Sequence, residues 1–184
     1  MTARHSVAVG GGACRIAAGS GLSEAQRQLA YLAGLVHDIG KLAFPDRILK
    51  RDVRLSDDDW RTIRSHPGRG ATVLGGIEGC EMIAGIVLAH HERVDGARYP
   101  PGLRGDEIPA IARMIAVADT YDAMTARNSC RDPLPQAKAV DELERVAGTQ
   151  LDAGFVEVFT DALARDARTP PRFTHFLRTE PASA

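Results

Sequence analysis

Glu81-Met82-Ile83-Ala84-Gly85-Ile86-Val87-Leu88-Ala89-His90-His91 is the stretch that decides the fold. Met82, Ile86 and His90 are spaced four apart, and so are Ile83, Val87 and His91. That is the period of one face of an α-helix, whereas a strand would alternate. Two histidines therefore close a stripe whose other members are apolar. Further on, Ile108, Ile111, Ile115, Asp119 and Asp122 keep the helical spacing, which puts two carboxylates where the pattern calls for aliphatic side chains. A carboxylate on a buried face needs a partner, because an unpaired charge is costly to desolvate.

The same period runs outward in both directions, and no β-branched alternation bounded by turns interrupts it, so the chain reads as all-α. Helices are expected over residues 3–18, from Ser23 to near Gly40, from Ser56, from Pro67 to about Leu74, and over 81–92, 109–126, 135–147 and 153–164. Ser23 caps a helix with Leu29, Leu32, Ala33 and Val36 on one face. Ser56 with Asp59 forms a capping box, and Leu55 and Trp60 stand at the staple positions. Pro67 disfavours helix at His66 and suits the first turn of the next one. Gly10, Gly11 and Gly12 burden the first helix by about 1 kcal/mol each relative to alanine. They are not a phosphate loop, since no Gly-Lys-Ser/Thr follows and no strand precedes them. Asp95-Gly96, Pro100-Pro101-Gly102 and Gly105-Asp106 make residues 94–109 a surface loop of the length that often carries function. Thr169-Pro170-Pro171 and Glu180-Pro181 indicate a loosely held tail, which gives one domain over 1–165 and a tail over 166–184.

A chain of 184 residues, 44% hydrophobic and 26% charged, is enough for one ordinary core. Its formal net charge of -1 supplies no basic field for long nucleic acid, so any phosphate recognition is local. Cys14, Cys80 and Cys130 are odd in number and form no Cys-x-x-Cys pair, which speaks against a disulfide framework or zinc ribbon and for a reducing cytoplasm. No segment approaches the roughly 20 apolar residues of a membrane span, so no membrane insertion is expected.

His37 follows Ala33 by four on the buried side of its helix, with Asp38 next to it. One buried imidazole is more often a hydrogen-bonded core residue than a ligand. Several such anomalies on separate helices share a simpler explanation, a metal centre between helices. Imidazole with carboxylate suits iron, manganese, zinc or nickel, and the lack of nearby cysteine argues against a structural thiolate zinc site.

In order, the chain reads His37-Asp38-Ile39-Gly40-Lys41, His66-Pro67, His90-His91-Glu92-Arg93-Val94-Asp95-Gly96 and Ala118-Asp119-Thr120-Tyr121-Asp122-Ala123. This series resembles the HD-GYP subgroup of the HD superfamily of metal-dependent phosphohydrolases. The likeness runs from His5 to about Phe159 and includes Pro45-Asp46-Arg47-Ile48-Leu49 and Gly102-Leu103-Arg104-Gly105-Asp106-Glu107-Ile108-Pro109. It implies a multi-helix bundle with a di-metal centre. His5, His37, Asp38 and Asp119 would hold one divalent ion and His66, His90 and His91 the other, with Asp38 bridging and iron or manganese as the metal. A glutamate that supports a third metal in some members is replaced here by Met1, so two ions are expected. The implied reaction is hydrolysis of cyclic di-GMP to a linear dinucleotide or GMP by metal-activated hydroxide, with cyclic GMP-AMP as a close alternative. Asp38 and Lys41 would be catalytic, Lys41 by neutralising a phosphate oxygen. Asp122 and Arg131 match positions that face the bound dinucleotide, Arg131 with a guanidinium suited to phosphate. Domains of this subgroup usually follow a receiver or other sensor module.

Two positions depart from the subgroup. Its Gly-Tyr-Pro is here Arg98-Tyr99-Pro100, and an arginine tolerates a positive φ poorly. Asn128 stands where an arginine is usual. Both changes touch substrate grip and the loop rather than the metal ligands. They leave two competing readings: a non-catalytic module that signals to a protein partner through the loop over 95–109, and a phosphohydrolase for another nucleotide.

Overall fold

The structure is a computed structural model that describes residues 3–49, 55–97, 102–126 and 132–168. Arg98-Tyr99-Pro100, Asn128, Arg131 and the chain beyond Arg168 lie outside the described residues. Within them the order is α1 (Ala3–Gly19), α2 (Glu24–Val36), a 3₁₀ turn (Ile39–Ala43), α3 (Asp46–Leu49), α4 (Asp57–Arg64), α5 (His66–Gly75) and α6 (Glu81–Ala89). A second 3₁₀ turn (Gly105–Glu107), α7 (Ala110–Thr125), α8 (Gln136–Val146) and α9 (Ala153–Arg168) complete it. No strand forms among the described residues, only an isolated bridge between Ala147 and Leu151.

The expected caps are present. Ser23 accepts from the Gln26 backbone while the Gln26 side chain reaches back to the Ser23 N–H. Ser56 and Asp59 do the same, and buried Asp59 also pairs with Arg47 at 2.6 Å, tying α3 to α4. Other boundaries differ from the sequence reading. α2 stops at Val36 with His37 as C-cap, α6 stops at Ala89 with His90 as C-cap, and α9 continues past residue 164 to Arg168.

α1 packs against α2, α7 and α9, and Val9, Ala13, Ile16, Ile115, Ala118 and Phe159 are buried where they meet. Its glycines explain how a sequence poor in helix propensity belongs there. A Cβ at Gly10 would lie 2.7 Å from the Tyr31 carbonyl oxygen, and one at Gly34 would lie 2.7 Å from the Gly10 Cα. The two backbones therefore touch, and that contact carries His5 at the start of α1 to the end of α2. Gly40 works likewise: a Cβ there would sit 2.0 Å from the His66 carbonyl oxygen, so only glycine lets the turn after Asp38 lie against α5. Leu32 and Met82, although on the apolar stripes of the sequence, are 47% and 66% exposed.

Candidate metal centre

Four helix ends converge. His37 caps the C-terminus of α2, His66 follows the end of α4, His90 caps α6, and His5 lies in the first turn of α1. Asp119 and Asp122 project from α7. These positions gather two donor groups: Asp38, His66, His90 and His91, and His5, His37 and Asp119. Within each group the donor atoms all lie within 4.8 Å of one another. Asp38 falls in the group with His66, His90 and His91 and also lies close to the other group. Asp38 Oδ1 is 3.0 Å from His66 Nε2, and Asp38 Oδ2 is 3.5 Å from His37 Nε2 and 3.8 Å from His5 Nε2.

The proton positions follow from the backbone. The Nδ1–H of His37, His66 and His90 donates to the carbonyl oxygens of Gly34, Ile63 and Val87 at 2.6, 2.7 and 2.6 Å. A carbonyl only accepts, so Nδ1 carries a proton in each ring, and the tautomer protonated there alone turns a bare Nε2 lone pair inward. Those carbonyls belong to the last turns of their helices, where such groups lack helical partners. The inward atoms are left wanting: His37 Nε2 is buried without a hydrogen bond, Asp38 Oδ1 has only His66 Nε2 near it at 3.0 Å, and His66 Nε2 faces His90 Nε2 at 3.2 Å. In the Nδ1–H tautomers those two lone pairs do not attract, and a buried polar atom without a partner is costly. A cation among them removes both problems, and imidazoles with their second nitrogen locked by a hydrogen bond are the usual form of metal ligand. The residues present fit a divalent metal.

The electrostatics agree. Burial, then the nearby His91 and His37, push His90 well below the ordinary histidine value, so it is neutral and ready to ligate. Burial works against the charge on Asp38, yet its contacts with His66, His37 and Lys41 hold its carboxyl well below the usual range. Lys41 Nζ donates to Asp38 Oδ2 at 2.7 Å. His5 is raised, first by its hydrogen bond to Asp122 and then, against burial, by the charges of Asp119, Asp122 and Asp38.

Of the sequence-predicted residues, His5, His37, Asp38, Lys41, His66, His90, His91 and Asp119 meet in one place. Asp122, expected at the dinucleotide, accepts a hydrogen bond from His5 Nδ1 at 2.7 Å. Arg131 lies outside the described residues. Sequence reasoning missed Glu92, which is buried and accepts from the Gly102 N–H at 2.9 Å, fastening the middle of the loop to the residue after His91. It also missed Arg113, which holds Asp152 at 2.6 Å and Asp106 at 3.0 Å. No periodicity signals either contact, since each spans a loop. Beside the cluster a cavity of about 760 Å³ is lined by His90, His91, Asp119, Met124, Lys138 and Gln150, among others. That volume suits a small-molecule ligand.

An all-helical bundle that gathers five imidazoles and two carboxylates in two adjoining groups is built as a divalent-metal-binding domain. The family model described as HD domain matches residues 2–154, and the chain belongs to the HD domain family, in keeping with its HD-GYP resemblance. It is 37% identical over 160 residues to a cyclic di-GMP phosphodiesterase of Thermotoga maritima, covering 86% of this chain and 44% of that protein. It is 35% identical over 151 residues to 3'3'-cGAMP-specific phosphodiesterase 3 of Vibrio cholerae, covering 82% of this chain and 33% of that protein. The chain thus spans less than half the length of these relatives. Among solved structures, the HDG"Y"P protein Bd1817 of Bdellovibrio bacteriovorus superposes with a TM-score of 0.69 at 22% identity, over 88% of this chain and 52% of that one, which shows the shared fold. No helix among the described residues is long and apolar enough to cross a membrane.

Proposed function

We propose that this chain is the catalytic domain of a two-metal phosphodiesterase that hydrolyses a cyclic dinucleotide, cyclic di-GMP foremost, with cyclic GMP-AMP as the close alternative. The observation that carries this reading is the set of three imidazoles whose Nδ1–H groups are committed to backbone carbonyls while their Nε2 atoms converge around Asp38. In it, His5, His37, Asp38 and Asp119 would hold one ion and His66, His90 and His91 the other, with Asp38 able to serve both. Bound there, iron or manganese would supply Lewis acidity and a water of lowered pKa. The protein's own part is electrostatic and positional. Asp38, buried and held by Lys41, keeps its charge and a fixed orientation. Lys41, partly exposed beside it, offers a cation to a non-bridging phosphate oxygen as negative charge grows there. The adjoining cavity gives the dinucleotide room next to His90, His91 and Asp119. The relatives named as cyclic di-GMP and 3'3'-cGAMP phosphodiesterases support the substrate class. A reducing cytoplasm suits the free thiols of Cys14 and Cys80.

The test is turnover of cyclic di-GMP and of cyclic GMP-AMP by protein loaded anaerobically with iron or manganese, with linear dinucleotide and mononucleotide products separated. Hydrolysis of either, lost in Lys41→Ala while bound metal is retained, is the expected result. Metal-replete protein that opens neither substrate would contradict the proposal.

A further inference from the structure

His37, His66 and His90 orient themselves with carbonyls of their own helices or the turn before, three residues back. His5 is held differently, by a group from a distant part of the chain. The acceptor comes from another element: Asp122 Oδ2 takes the Nδ1–H at 2.7 Å. Asp122 lies three residues after Asp119 on α7, so both carboxylates fall on one face of that helix. Asp119 Oδ1 stands 3.5 Å from the other ring nitrogen, Nε2. One helix thus supplies a carboxylate to each nitrogen of the same imidazole.

We propose that Asp122 is a positioning residue for the metal centre, fixing the ring orientation and Nδ1–H tautomer of His5 so that Nε2 is the ligating nitrogen. The inference rests on the two-metal reading above. The Asp122 carboxylate also makes His5 a better donor, as a hydrogen-bonded carboxylate does for a metal-bound imidazole. The role differs from gripping the dinucleotide, the use its sequence position implied.

The decisive experiment measures Mn²⁺ affinity without substrate, by titration calorimetry, for wild type, Asp122→Asn, Asp122→Leu, His5→Ala and the His5→Ala/Asp122→Leu double variant. Removal of an outer partner of a metal ligand weakens binding by about 10- to 100-fold. Asp122→Leu is expected to weaken one of the two equivalents by that factor, and Asp122→Asn, whose amide oxygen still accepts, by less. The Leu change should add nothing in the His5→Ala background, because the two residues act as one unit. Unchanged Mn²⁺ affinity in Asp122→Leu, or an equal loss with and without His5, overturns the inference while leaving the metal centre standing. A wild type that binds no Mn²⁺ overturns the metal-centre reading itself, and the inference with it.

Discussion

His66 Nε2 and His90 Nε2 face each other at 3.2 Å, and each ring has its Nδ1–H committed to a backbone carbonyl. The pair is set for something positive between them. The protein should therefore be more stable with divalent metal than without. At free metal 100 times Kd, each site contributes about 2.7 kcal/mol, which raises Tm by roughly 5 to 10 °C in a domain of this size. Scanning calorimetry with Mn²⁺ and with chelator checks this. His66→Ala and His90→Ala should each remove much of the increment.

Two neighbouring glycines should respond with opposite signs. Gly10→Ala pushes a methyl to within 2.7 Å of the Tyr31 carbonyl oxygen, so it should destabilise by about 1 to 3 kcal/mol and loosen His5. A methyl at Gly11 would meet nothing within 4 Å, and the position is exposed, so Gly11→Ala should stabilise by up to about 1 kcal/mol. Urea unfolding of the two variants checks the pair.

The pH dependence of the metal-free protein follows from His90. Its folded value is depressed, so below the unfolded histidine value near 6.5 the unfolded chain takes up a proton that the folded chain refuses. Stability from His90 is therefore present above that pH and is lost as pH falls. His5, raised by Asp122, acts in the opposite direction. Taking the Tm difference between wild type and His90→Gln isolates the first effect. That difference should shift in favour of the wild type as pH rises from about 5.5 to 7.5, and against it as pH falls.

Glu92 should govern the loop without governing the metals. Its bond to the Gly102 N–H is one to a charged acceptor, worth about 1.5 to 3 kcal/mol, so Glu92→Ala should speed exchange of that amide by roughly 10- to 100-fold. Hydrogen exchange by NMR reads it directly. The number of bound metals should not change.

The elements and most of the candidate site were legible in the sequence because each rests on a local rule. The caps at Ser23 and Ser56 are fixed by short-range hydrogen bonds, and His90 and His91 betray themselves by ending an apolar stripe. What the sequence could not show depends on which element lies opposite. Leu32 and Met82 fit the stripe yet remain exposed, since helical period alone does not say how wide a face is covered. Gly10 and Gly12 look like helix faults until α2 and α7 are set against them. The contact of Asp122 with His5, 117 residues away, has no signal in the sequence at all.

The central claim is a pair of metals sharing Asp38, and its most direct test counts metal in anaerobically purified protein alongside cyclic di-GMP turnover in the same sample. The account predicts about two divalent ions per chain with hydrolysis in the wild type, and loss of both metal and hydrolysis in His37→Ala/Asp38→Ala. Full occupancy or full activity in that double variant would contradict it.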